Sequence, residues 1–133
     1  MIDTLEDHFT TTGARLATLR QACIAPVPDI DALCRARHGL IAASLTRSRY
    51  IQTSVLPRLI AATPALAALR DELDRDLSHL RSAMSAHIAR WSVAAIRDDW
   101  QGYREASARF LARLDERLRR ERHVLLPALR ALA

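Results

Sequence analysis

From Leu111 onward, apolar residues recur at alternating three- and four-residue steps: Leu111, Leu114 and Leu118, then Leu125, Ala128 and Leu132, with Glu121 standing in the same line. That rhythm is the inward stripe of a helix packed nearly parallel to its neighbours. A carboxylate on such a stripe is costly to bury unless it is paired, hydrogen-bonded or coordinated to a cation. Glu121 therefore either has a partner inside the protein or reaches the rim of the core.

The rest of the chain has the same character. Its 133 residues suit one domain, residues 1–133, with enough length to bury a core. Ala, Leu and Arg dominate and Gly occurs only three times, so the composition points to an all-α protein. The net charge of +5 does not translate into a nucleic-acid surface. Every basic residue is Arg, and the arginines interleave with acids, as in Arg70-Asp71-Glu72 and Asp74-Arg75-Asp76. That pattern marks solvated helix faces with local ion pairs, and nucleic acid is not an expected partner. The apolar runs are far shorter than the eighteen or so residues of a membrane span, so no membrane partner is expected. The acidic start Met1-Ile2-Asp3-Thr4-Leu5-Glu6-Asp7 is unlike a signal or transit peptide, and the expected location is the cytoplasm. Cys23 and Cys34 lack metal-knuckle or redox spacing and read as two small hydrophobes in a reducing compartment.

Periodicity and breakers predict four long helices. The first spans about Thr4 to Ala22, its stripe formed by Ile2, Leu5, Phe9, Thr12, Leu16, Leu19 and Cys23, and it stops at Pro26 and Pro28. The second starts at an Asp29 cap, carries Cys34, His38, Ile41, Leu45, Ser48, Gln52, Val55 and Leu59, and kinks or ends near Pro57. Thr63-Pro64 reads as an N-cap followed by Pro at the first helical position. The third helix follows with Leu66, Leu69, Leu73, Leu77, Leu80, Met84, His87 and Trp91, ending between Trp91 and Ile96. A connection over 97–102 offers an Asp cap for the fourth, which runs from about Trp100 to Ala131 with Pro127 bending or ending its last turns. Four such helices joined by short links make an up-down-up-down bundle.

Two helix endings echo one another: Val55-Leu56-Pro57-Arg58-Leu59 and Val124-Leu125-Leu126-Pro127-Ala128-Leu129. With this doubled ending the layout resembles the hemerythrin-like, or HHE cation-binding, four-helix bundles. The resemblance covers nearly the whole chain. It implies a His ligand at His8, after Leu5-Glu6-Asp7, another at His79 in Leu77-Ser78-His79-Leu80, and a ligating carboxylate at Glu121, six residues before Pro127. Other ligand positions differ. Counting back from Pro127, the histidine position holds Arg117 and the second carboxylate position Arg122; from Pro57, the equivalents are Arg47 and Ile51, and Ala83 follows His79 by four. A permanently charged guanidinium cannot ligate a cation and repels one.

Two readings of the interior follow. In the first, the di-iron centre is lost and no cofactor is bound. Glu121 then forms an internal ion pair with Arg47 or Arg117, a guanidinium filling the space of the lost cation. The chain would act as a non-catalytic binding, sensory or protein-interaction module for a protein partner or small ligand, compatible with a homodimer. In the second, His8, His79 and Glu121 keep a reduced or mononuclear centre for iron or another divalent metal, binding a cation, dioxygen or a related small ligand. No acid–base or nucleophilic constellation can be assembled from spacing, so an enzyme is not expected. Trp91, Trp100 and Tyr103 fall around the third connection and suit capping of one end of the core.

Overall fold

A computed structural model describes residues Met1–Ala133 and is all-helical. In chain order the helices are α1 (Ile2–Ala22), α2 (Ile30–Tyr50), a π turn (Ile51–Val55), α3 (Leu56–Ala62), a 3-10 turn (Pro64–Leu66), α4 (Ala67–Arg90), α5 (Val93–Asp98) and α6 (Trp100–Arg130). No helix is long and apolar enough to cross a membrane.

The stripe of α1 buries Leu5, Phe9, Thr12, Leu16 and Leu19, with Cys23 beyond its end. Thr12 fits this apolar face because its hydroxyl donates to the His8 carbonyl one turn back, 2.8 Å away. The face packs against α2 and α6. On α6, Leu111, Leu114, Leu118, Glu121 and Leu125 are buried together with Tyr103, Ser107, Arg117, Leu126 and Leu129. Pro127 lies inside α6, which continues to Arg130; the proline costs one ladder bond without ending the helix.

Three local expectations need correction. The buried face of α2 is Leu33, Ala36, Leu40, Arg47 and Ser48, while Cys34, His38, Leu45 and Gln52 point outward. Pro57 does not end the second helix. The chain widens instead into the π turn, in which the Leu56 amide bonds the Ile51 carbonyl, and then continues as α3. A π turn has more than four residues per turn, so the four-residue steps Ile51, Val55 and Leu59 stay on one buried face. Thr63 makes no side-chain cap; the 3-10 turn intervenes and α4 begins at Ala67.

Asp29, Ser92 and Asp99 are working caps, accepting from the amides of Ala32, Ala95 and Gly102 at 3.1, 3.2 and 2.9 Å. Ser92 starts the short α5, an extra helix between α4 and α6 that hydrophobic periodicity did not separate. A Cβ at Gly102 would meet the Asp99 carboxylate, which would have to swing away and give up the cap. At this end Tyr103 packs between Trp91 and Trp100, with ring centroids 5.6 and 5.7 Å away. The Trp100 indole donates to the Ala25 carbonyl at 2.9 Å and the Arg104 Nε to the Cys23 carbonyl at 2.8 Å, tying the α1–α2 loop to the start of α6.

A buried arginine–glutamate cluster as candidate functional site

Inside the fold, between α2, α4 and α6, three charged side chains meet out of contact with solvent. Arg47 is 1% exposed, Glu121 2% and Arg117 8%. The Arg47 Nε donates to Glu121 Oε2 at 2.9 Å, and the Arg117 Nε to Glu121 Oε1 at 2.7 Å. Each carboxylate oxygen thus has its own guanidinium. Arg117 reaches Glu121 within one helix at the i,i+4 spacing, whereas Arg47 comes from α2.

The two arginines are not equally satisfied. Arg117 Nη1 also donates to the Leu73 carbonyl of α4 at 3.2 Å and to the carboxylate of Asp76, whose side chain is 39% exposed. Two guanidinium charges therefore face two carboxylates, but both carboxylates touch Arg117 and only one touches Arg47. Burial pulls the pKa of each down. At Arg117 the Glu121 and Asp76 carboxylates more than offset this and raise it above the usual arginine value. At Arg47 burial outweighs Glu121 and the nearby Arg117 adds repulsion, leaving the pKa below the usual value. Geometry agrees with charge here: Arg47 Nη1 is buried and has no hydrogen-bond partner. Breaking such a cluster at one point leaves an uncompensated buried charge, at a cost of about 3–5 kcal/mol.

The trio His8, His79 and Glu121 does not assemble. His79 is on the exposed face of α4, and His8 is half-buried with its ring centroid 5.0 Å from that of Tyr50. Both Glu121 oxygens are occupied by guanidinium groups. No group of three or more His, Cys, Asp or Glu side chains is placed to hold a metal ion. The residues around Glu121 therefore do not fit an iron centre: the donors are absent, and two cations stand where one would bind. Of the remaining histidines, His38 and His123 are exposed.

Sequence reasoning missed Asp76 and Ser44. Asp76 sits beside Leu73 and Leu77 on the edge of the α4 stripe, close enough to reach inward, but its neighbours Asp74 and Arg75 made it read as part of a solvated face. Ser44 lies in a run of small residues that carried no periodic signal; its hydroxyl is buried and unpartnered.

A second polar corner lies along the same side of the fold. His87 is half-buried, its ring stacked on Phe110 at 5.6 Å and Tyr103 at 5.8 Å, with Nε2 3.4 Å from the Ser107 hydroxyl. Burial, with a smaller contribution from Arg37, lowers the His87 pKa from its ordinary 6.5, so the neutral ring is favoured. Burial raises the Cys23 and Tyr103 pKa values, which keeps both protonated. These groups are packed and neutral, with no activated nucleophile among them. Comparison of the chain with protein-family models, with curated proteins and with solved structures finds no match.

Proposed function

We propose that the chain is an up-down four-helix bundle of the hemerythrin-like kind whose interior is closed by arginine in place of iron, and that it acts as a small non-catalytic binding or sensory module. The observation carrying this reading is the carboxylate of Glu121, held on both oxygens by Arg47 and Arg117 at 2.9 and 2.7 Å. In the resemblance drawn from sequence, Arg47 and Arg117 stand at two histidine positions and Glu121 at a carboxylate position. Their meeting in space supports that alignment of the two helix endings. A bidentate carboxylate bridge between cations is also the arrangement that Glu121 would give to metals, with guanidinium groups supplying the positive charge.

A binding role suits this interior better than chemistry. Its charges neutralise one another, its titratable groups are packed, and its cavities are lined mainly by apolar side chains. The test is direct. Protein purified from iron-supplemented cells contains no stoichiometric transition metal and shows no charge-transfer absorption. Glu121→Ala lowers the melting temperature, whereas adding iron or zinc to the native chain leaves it unchanged. A metal bound in whole-number stoichiometry and lost in Glu121→Ala overturns the reading.

A further inference from the structure

Beside the charged cluster lies a cavity of about 50 Å³ between α2 and α4, floored by Leu114 of α6. Its walls are apolar through Ile41, Leu77, Leu80 and Met84, and two of its lining residues, Ser44 and Arg47, carry unpartnered polar atoms. Only two buried side-chain polar atoms in the molecule lack a hydrogen-bond partner, Ser44 Oγ and Arg47 Nη1, and both belong to this cavity's wall. Buried donors without partners are rare because each costs about 1–3 kcal/mol, more when charged. Two on one small cavity mark a place built to be filled.

We propose that this cavity binds a small monoanion with a short apolar body, a carboxylate of two or three carbons. The head accepts from Arg47 Nη1 and Ser44 Oγ, and the tail lies against Leu77, Leu80 and Met84. Charge sets the sign. The cavity's own lining carries two guanidinium groups, the buried Arg47 and the exposed Arg81, and no carboxylate, while Arg47 shares Glu121 with Arg117. An anion there gives Arg47 the second acceptor that Arg117 already has in Asp76. Size sets the length. A water needs roughly 10–15 Å³ of such space, so the cavity holds about three to five non-hydrogen atoms. Access comes through the α2–α4 seam, where the exposed Leu45 and Arg81 form the rim.

This deepens the binding-module reading and names its ligand class. The test titrates the full-length chain with propionate at constant ionic strength, using chloride as the control and propionamide as the neutral isostere, followed by calorimetry and NMR of the Met84 methyl group. Propionate binds saturably, and chloride and propionamide bind at least about tenfold more weakly, the loss expected without a charge-assisted hydrogen bond. Arg47→Met removes the donor but strips Glu121 of a partner, so a second variant decides. Ser44→Leu fills the cavity without touching the Arg47–Glu121 pair; it retains the native melting temperature within a few degrees and loses propionate binding. Propionate indistinguishable from chloride shows that the cavity holds only water and overturns the proposal. Equal binding by propionamide, or by Ser44→Leu, overturns it as well. Stoichiometric iron in the purified protein is a separate failure, of the arginine-for-iron reading.

Discussion

α1 and α4 are similar in length, 21 and 24 residues, yet they are held very differently. α1 lies against α2 and α6 along an unbroken stripe and buries five side chains. α4 buries only Leu73, Leu77 and Leu80, its backbone approaches its neighbours less closely, and the gap to α2 is where the cavity beside Arg47 opens. What compensates α4 is polar: Arg117 reaches across from α6 to the Leu73 carbonyl and to Asp76, and the Arg120–Glu72 pair lies outside it. One wall of the molecule is thus fastened by hydrophobic burial and the opposite one by the charged cluster. A wall held by few, directional contacts can yield to a ligand; a wall held by a continuous apolar stripe cannot.

The largest effect that separates the two regimes is at the charged centre. Glu121→Ala destabilises by about 3–5 kcal/mol in urea unfolding, because Arg47 and Arg117 lose the carboxylate they share. Replacing all three together, Arg47→Met, Glu121→Leu and Arg117→Met, recovers that loss and matches or exceeds the native stability by roughly 1–4 kcal/mol. A triple variant as unstable as Glu121→Ala would show that the cluster is more than a neutralised set of charges.

Next in size, Leu125→Ala on the apolar side costs about 2–5 kcal/mol, since Leu125 is fully buried. Leu77→Ala falls at or below the low end of that range, because Leu77 already borders a cavity. Equal losses at the two sites would erase the contrast between the walls. Hydrogen exchange sharpens it without mutation: amides in α4 exchange through local opening well before those in the middle of α1 and α6. The smallest effect is at His87. Its folded pKa lies below 6.5, so the unfolded chain takes up a proton that the folded chain resists. Stability therefore declines as pH falls below about 6.5 and is insensitive to this group above it. His87→Gln flattens that slope in melting curves recorded from neutral to mildly acidic pH.

The contrast also explains what the sequence made legible. Stripes were readable where burial is one-sided and regular: α1, the middle of α4 and α6 each follow three- and four-residue steps, so their faces were placed correctly, Glu121 included. The face of α2 was misplaced by about one residue over most of its length: Leu33, Ala36 and Leu40 are buried where Cys34, His38 and Ile41 were expected, and Leu45 is exposed, while Ser48 lies inside as its spacing indicated. Pro57 read as a kink or a terminator, but a π turn is defined by backbone bonding that no side-chain pattern announces. Within the site, Glu121 was visible as the one carboxylate on an apolar line, and Arg47 and Arg117 as guanidinium groups at aligned positions. Asp76 and Ser44 were not, because Asp76 is met by Arg117 across the gap between α4 and α6 and Ser44 borders the gap between α2 and α4, distances that no spacing along a single helix encodes.

The account rests on guanidinium groups, and not a metal, neutralising the carboxylate at the centre of the fold. Elemental analysis of the chain purified from iron- and zinc-supplemented cells, without chelators, tests this most directly. The expected result is a small fraction of an equivalent of any transition metal, identical for the native chain and Glu121→Gln. One or two equivalents per native chain, absent from Glu121→Gln, would contradict it.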